Sequence, residues 1–319
     1  MTQTTSLSVA ILAGGPAAEA EVSRNSAAQI DQALQAAGHR TRLIELDRSA
    51  PQQLLSMQPD VAFPALHGPP GEDGTVQGML EMLGIPYVGS DVRGSAVAMD
   101  KALAKTMFKR QGLPVSDDIV VRHQDDPAVV SEKILQILGP AVAIKPLNQG
   151  SAIGVQLLPQ GGDLLAALSH SLTFGDCLVE PFVAGREITV GVLDIHGARQ
   201  VHPVIEILTR ENQWYDFNNR YTPGQSEHLM PAPVPSELAA ELQRIALAAH
   251  ECLGLRDLSR ADFLLTEQNE IYLLEVNTLP GMTPTSLYPE GAQAIGYPFQ
   301  NLVDTLVQQA LARGCTIWL

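Results

Sequence analysis

Arg260-Ala261-Asp262-Phe263-Leu264-Leu265 and, a few residues on, Ile271-Tyr272-Leu273-Leu274-Glu275-Val276-Asn277 hold the densest chemistry in the chain. Side chains on a strand alternate faces, so Arg260 and Asp262 share one face of the first segment and Glu275 and Asn277 one face of the second. The polar stretch Thr266-Glu267-Gln268-Asn269-Glu270 reads as the loop of a hairpin. Pairing Leu264 with Leu273 sets Asp262 opposite Glu275 and Arg260 opposite Asn277. That face then carries two carboxylates, an amide oxygen and a guanidinium, a set of hard donors suited to Mg²⁺ bridging to phosphates. The opposite face (Ala261, Phe263, Leu265, Tyr272, Leu274, Val276) is apolar and packs on a core. A surface hairpin with a solvated polar face is the plainer alternative. It fits less well, because Leu264, Leu273 and Ile271 share the charged face and two opposed carboxylates repel without a cation between them.

The chain has 319 residues, enough for two or three domains, with 45% hydrophobic and 17% charged residues. A net charge of −15 argues against non-specific nucleic-acid binding and against an anionic membrane as partner. Cys177, Cys252 and Cys315 are scattered, show no disulfide or metal spacing and fit a reducing cytosol, with Cys177 and Cys252 reading as core fillers. The first residues, Met1-Thr-Gln-Thr-Thr-Ser6, do not read as a signal peptide, and no run is apolar enough to span a bilayer. A cytoplasmic location is therefore expected.

Working outward, Leu7 to Ala13 reads as a buried parallel strand, followed by a Gly14-Gly15-Pro16 turn and a helix from about Ser23 to Gln35. Thr41 to Leu46 and Asp60 to Leu66 read as further strands, and Gly71-Glu72-Asp73-Gly74 turns into a helix ending at Leu83. The alternation implies an α/β fold that opens with a doubly wound, Rossmann-like sheet, with Glu19, His67 and Glu72 in loops at its strand ends. Asp91 to Arg110 reads as one helical stretch containing Lys101. Ala141 to Pro146 is an apolar strand carrying Lys145, and Asn148 to Val155 forms a hairpin with it. Cys177 to Val183 is a strand, Ile188 to Ile195 and Val201 to Leu208 look antiparallel, and Trp214 to Pro231 reads as a polar loop. Pro235 to Cys252 and Phe299 to Arg313 are amphipathic helices.

Gly150-Ser151-Ala152-Ile153-Gly154 can present backbone N–H groups to phosphate oxygens, although most glycine loops are plain turns. Lys145 is the stronger signal, since its ammonium lies in an apolar strand and must snorkel or meet an anion. The pattern is neither a Walker A loop nor a Rossmann fingerprint, so a hairpin holds the phosphate, not a helix N-terminus.

Lys101, Lys145, the Gly150–Gly154 loop, Glu180 and the Asp262/Glu275/Asn277 triad, in that order, resemble the ATP-grasp superfamily. Gly14-Gly15, Ala18-Glu19-x-Glu21-Val22-Ser23, Ala65-Leu66-His67-Gly68, Gly71-Glu72-Asp73-Gly74 and Leu273-Leu274-Glu275-Val276-Asn277-Thr278-x-Pro280-Gly281-Met282-Thr283 sharpen the match to the D-alanine–D-alanine ligase family. The resemblance implies a Rossmann-like domain (1–100), a central ATP-grasp subdomain (101–185) and a C-terminal ATP-grasp subdomain (186–319), the last two of α+β character. It implies ATP and two Mg²⁺ ions (Mn²⁺ being an alternative), D-alanine as substrate, a peptidoglycan-precursor product and a homodimer. Lys101 and Lys145 would bind ATP phosphates under the loop bearing Ser151. Glu180 and the Phe182 and Val183 backbone would read adenine, and Glu187 the ribose. Asp262, Glu275 and Asn277 would ligate metal. Glu19 would hold the first D-alanine's ammonium, with His67 near its carboxylate. Arg260 and the Gly281 N–H would form an oxyanion site, Ser286 and the Leu287 backbone would receive the second D-alanine's carboxylate, and Tyr221 would close over the site.

Taken singly, several of these residues have ordinary explanations: His67 as a structural histidine, Glu19 as a helix-start carboxylate, Tyr221 as a packed loop aromatic, Ser286 as a cap. Pro181, Arg220, Ala152 and Ala20 depart from the family's usual pattern, the first three at ATP and lid contacts and none at a metal ligand. Tyr221 argues against a D-alanine–D-lactate ligase. A ligase for another D-amino-acid dipeptide and a non-catalytic nucleotide-binding regulator are the competing readings.

Overall fold

A computed structural model describes residues 6–209, 225–283 and 286–315. The first sheet is parallel, with β1 (Ser8–Ala13) between β2 (Arg40–Glu45) and β3 (Val61–Pro64). Strand alternation divides β1 between two cores. Val9, Ile11 and Ala13 pack under α1 (Ala20–Ala36) and the chain's last helix, α10 (Phe299–Arg313). Ala10 and Leu12 face α2 (Ala50–Met57) and α3 (Thr75–Leu83). Both faces are covered, which is why β1 is apolar throughout instead of alternating.

The stretch expected as one helix over 91–110 is two: α4 (Val92–Met99) and α5 (Lys101–Arg110). Asp100 adopts an extended conformation between them, and its carboxylate accepts the Ala102 and Leu103 amides. A side chain that satisfies orphan N–H groups starts a new helix at that point. The break sets Lys101 at the first position of α5.

The second sheet has the order β4 (Ile119–Val121), β7 (Cys177–Pro181), β5 (Val142–Pro146), β6 (Gln156–Leu158), all antiparallel. α6 (Pro127–Ile137) and α7 (Leu164–Ser171) cover one face. The third sheet runs β11 (Ser226–Leu229), β10 (Ile205–Thr209), β8 (Arg186–Ile195), β12 (Leu258–Leu265), β13 (Ile271–Asn277), with β9 (Ala198–Val201) also paired to β8. Its core face lies on α8 (Ser236–Cys252). The strand expected over 201–208 is instead β9 and β10, separated around His202 and Pro203, since proline has no N–H for a ladder. Part of the loop expected over 214–231 is β11, and Trp214, Arg220 and Tyr221 lie outside the described residues. The short helix α9 (Leu287–Ala294) follows β13.

The β12–β13 hairpin sets Asp262 opposite Glu275 and Arg260 opposite Asn277, but Leu264 faces Tyr272, not Leu273. A bulge between Asp262 and Phe263 inserts Leu274 as an extra residue. An inserted residue reverses the facing of everything beyond it. Leu273 is therefore buried in the core with Ala261, Phe263, Leu265 and Val276, and Ile271 packs against it. Tyr272 and Leu274, expected on the core side, line a cleft beside Leu264 and Glu275.

Asp257 ties the outer units together from a fully buried position. Its carboxylate accepts Gly89 N–H at 2.7 Å, Gln309 Nε2 at 2.5 Å and Arg313 Nη1 at 2.5 Å. Removing one partner of a buried, fully bonded charge strands the other, so this cluster fixes α10 to both the first and the third sheet.

Candidate active site

A cleft of about 490 Å³ lies between the second and third sheets, within the range of small-molecule sites. Alternation on β5 and β7 builds its floor. Val142, Ile144, Cys177 and Val179 point into the core under α6 and α7. Ala143, Lys145, Leu178 and Glu180 therefore turn to the cleft. Lys145 Nζ donates to Glu180 Oε2 at 2.6 Å. Lys105, on α5, donates to Glu180 Oε1, which also accepts Ser116 Oγ at 2.8 Å. Burial alone would raise the Glu180 carboxyl, but the Lys145 and Lys105 ammoniums outweigh it and hold the group at about 2. Burial likewise works against the Lys145 ammonium, and the Glu180 charge and hydrogen bond, with Glu275 and Glu187 beyond, raise its pKa nonetheless. Lys101 Nζ donates to Gln149 O at 2.7 Å and lies 3.4 Å from Glu275 Oε2.

Glu187, Phe182, Val183 and Ser151 also line the cleft. The Phe182 N–H donates to Ala141 O at 2.9 Å, so the backbone available to a base there is its carbonyl and the groups of Val183. Pro181 lies on the same wall. Ser151 and Ala152 hold φ of +46° and +60° without being glycine, a conformation costing of order 1 kcal/mol each. Such strain is common where a loop must present its backbone to a ligand.

Opposite Glu275, Asp262 accepts Thr189 Oγ1 at 2.6 Å, Arg260 Nε and Nη2 at 2.8 Å each, and Asn277 Nδ2 at 3.0 Å. Two opposed carboxylates on adjacent strands are tolerated here because Arg260 and Lys101 each sit against one. Among the described residues no group of three or more His, Cys, Asp or Glu is placed to hold a metal unaided. Mg²⁺ takes one or two protein carboxylates and completes its shell with substrate phosphate oxygens and water. Asp262, Glu275 and the Asn277 amide oxygen are donors of that kind.

The first sheet meets this site through Glu19, a buried carboxylate that accepts the Ser151 hydroxyl. Side chains at 68 and 150 would collide with it, since a Cβ on Gly68 would lie 2.7 Å from Oε2 and one on Gly150 2.9 Å from Oε1. Burial and the Arg260 charge hold His67 down at about 4, so its imidazole is neutral. His67 Nε2 is buried without a hydrogen-bond partner among the described residues. Gly281 and Ser286 face each other, and Ser286 Oγ bonds Thr283 Oγ1 at 2.7 Å instead of capping α9. The Leu287 side chain packs with Ile205 and Ile207.

Glu72 closes the same corner and accepts the Gly68 N–H at 2.7 Å. Burial, reinforced by Glu19, pushes its carboxyl up to about 8, against the opposing pull of the Gly68 N–H and Arg260. Between its ordinary value of 4.5 and about 8 the folded chain carries a proton that the unfolded chain has released. Stability contributed by the protonated carboxyl therefore declines as pH rises through that window. Glu72→Gln should flatten the fall in melting temperature across it. Thermal melts of both proteins at several pH values check this, and identical slopes would contradict it.

The structure thus gathers Lys101, Lys145, Glu180, Glu187, Ser151 and Glu275 around one cleft, with Asp262 opposite Glu275, Arg260 opposite Asn277 on the same hairpin, and Glu19 bonded to Ser151. Lys105, Ser116 and Thr189 were not singled out from the sequence. Lys105 had one available signal, its spacing four residues beyond Lys101 on the same helical face. Ser116 and Thr189 had none, because each acts across chain-distant contacts.

The whole fold superposes on solved ligases. The D-alanine–D-alanine ligase from Coxiella burnetii matches with a TM-score of 0.83 and 27% identity, over 97% of this chain and 95% of that one. The Bacillus anthracis enzyme complexed with ATP matches with a TM-score of 0.82 and 28% identity, over 97% and 98%. Fold and cleft together define an ATP-grasp ligase. The family model for the D-ala D-ala ligase C-terminus matches residues 107–308, and that for the N-terminus residues 46–90. D-alanine–D-alanine ligases of Halalkalibacterium halodurans (39% identity, 96% of this chain, 100% of the relative) and Geobacter sulfurreducens (43%, 95% and 93%) align along the whole length. The chain belongs to the D-alanine–D-alanine ligase family.

Proposed function

We propose that this enzyme joins two D-alanines at the expense of ATP, through an acyl phosphate, to give D-alanyl-D-alanine for peptidoglycan. The observation that carries the reading is the pairing of Asp262 with Glu275, and of Arg260 with Asn277, on a hairpin whose Glu275 lines the same cleft as Lys145 and Glu180. A carboxylate is a poor electrophile, and phosphorylation activates it. Lys101 and Lys145 neutralise the triphosphate, and the backbone of the loop at Gly150 and Ser151 covers it. Asp262, Glu275 and Asn277 would hold Mg²⁺, which would supply positive charge against the transferring phosphoryl group. Glu180, the Phe182 carbonyl and Val183 receive the adenine, and Glu187 the ribose.

Glu19 anchors the ammonium of the first D-alanine, and neutral His67 faces its carboxylate. Ser286 and the Leu287 backbone seat the carboxylate of the second. When its amine attacks, Arg260 and the Gly281 N–H stabilise the tetrahedral oxyanion. The division at residues 100 and 185, a homodimeric assembly and a cytoplasmic location belong to the same reading. Among the described residues no helix is long and apolar enough to cross a membrane.

ADP formation in the presence of Mg²⁺ should depend on D-alanine and yield the dipeptide, measured by a coupled assay and product chromatography. Tight ATP binding without turnover over a panel of D-amino and hydroxy acids would contradict the ligase and favour a nucleotide-binding regulator.

A further inference from the structure

We propose that Lys105 is a positioning residue for nucleotide binding: it holds the Glu180 carboxylate in place and leaves Lys145 able to turn to phosphate. The inference rests on the nucleotide-site reading above and deepens it.

Glu180 is buried and meets two ammonium groups, one at each oxygen. Charge balance needs only one of them. The two lysines differ in surroundings. Lys105 is buried, and besides Glu180 its Nζ donates to Ser116 Oγ at 2.9 Å and lies 3.6 Å from Asp118 Oδ1. Ser116 in turn donates to the same Glu180 oxygen at 2.8 Å, closing a ring of three polar groups. Lys145 is more open and lines the cleft together with Gly150 and Ser151 of the phosphate loop. Lys105 is thus the fixed partner, and Lys145 the one with somewhere else to go.

The physical consequence follows from the cost of an unpaired buried charge. With Lys145 as its sole partner, Glu180 would be stranded whenever that lysine moved to a phosphate oxygen, and the pair would resist separation. With Lys105 in place, Glu180 keeps its neutralising charge and its orientation through that exchange. α5 supplies this arrangement in one stroke, because Lys101 and Lys105 stand one turn apart. Lys101 reaches the loop at Gln149 and Lys105 the carboxylate behind it.

The test is a double-mutant cycle read by ATP affinity, with calorimetric titration of ATP and steady-state kinetics on the full-length protein. Lys105→Met should weaken ATP binding and raise KM for ATP by roughly 10-fold or more, with KM for D-alanine little changed. In a Glu180→Gln background, Lys105→Met should have no further effect, because the charge it serves is gone. Ser116→Ala, which removes the hydroxyl's bonds from Lys105 and to Glu180 and retains every charge, should shift ATP affinity the same way by about 2- to 5-fold and keeps the test open if Lys105→Met misfolds. A lysine that only supports the fold would lower the melting temperature and scale kcat, leaving the ATP and D-alanine KM ratio unmoved; that result, or additive effects in the cycle, would overturn the proposal. If Lys145→Ala and Glu180→Gln themselves leave ATP binding intact, the nucleotide-site reading fails instead.

Discussion

Glu275→Gln should abolish measurable phosphoryl transfer while the protein stays folded. The substitution keeps the side chain's shape and removes its charge. Its pair with Lys101 spans 3.4 Å and is partly exposed, so little stability rests on it. A metal ligand acts on a different scale, since a bound cation stabilises transition-state charge by several kcal/mol. A loss of roughly 4 kcal/mol corresponds to about a 10³-fold fall in turnover. Rate assays at saturating Mg²⁺ and ATP, beside a thermal melt, separate the two effects. Near-normal turnover would sink the metal assignment, and a collapsed melting temperature would show that Glu275 is chiefly structural.

Arg260→Met should lower kcat by on the order of 10²–10³-fold, the usual effect of deleting one preorganised oxyanion donor. Arg260→Lys should recover little of it. Arg260 grips Asp262 through Nε and Nη2 at 2.8 Å each, and a lysine offers one point charge in place of that planar fork. The loss should fall on kcat and kcat/KM together, since the oxyanion exists only in the transition state. A rise in KM for ATP with kcat preserved would instead mean that Arg260 serves the nucleotide. Both variants retain Thr189 and Asn277 as partners of Asp262, so that carboxylate is not left bare.

Much of this site was legible in the chain because its chemistry is written at period two. Asp262 with Arg260 and Glu275 with Asn277 needed only strand alternation, and Lys145 announced itself by interrupting an apolar strand. The bulge after Asp262 was not legible, because nothing in Leu273-Leu274 tells which leucine is the inserted one. That single residue exchanged the facing of Tyr272 and Leu274 with that of Ile271 and Leu273. The break at Asp100 could have been read as a cap, but the helical pattern on either side conceals it. α6 and α7 pack on a sheet whose strands are short, and they leave a weaker periodic signal than α8. Lys105 was passed over for a physical reason as well. A lysine on a helix is ordinarily solvated, and only the fold brings Glu180, 75 residues away, against it.

The most direct test of the account follows oxygen. D-alanine labelled with ¹⁸O in its carboxyl group should pass one labelled oxygen to inorganic phosphate, because the bond from that carboxylate to the γ-phosphorus persists when the second amine expels phosphate. Mass spectrometry of the released phosphate reads it directly. Labelled phosphate appearing in step with dipeptide is the predicted result; dipeptide formed with wholly unlabelled phosphate would contradict the proposed activation of the carboxylate.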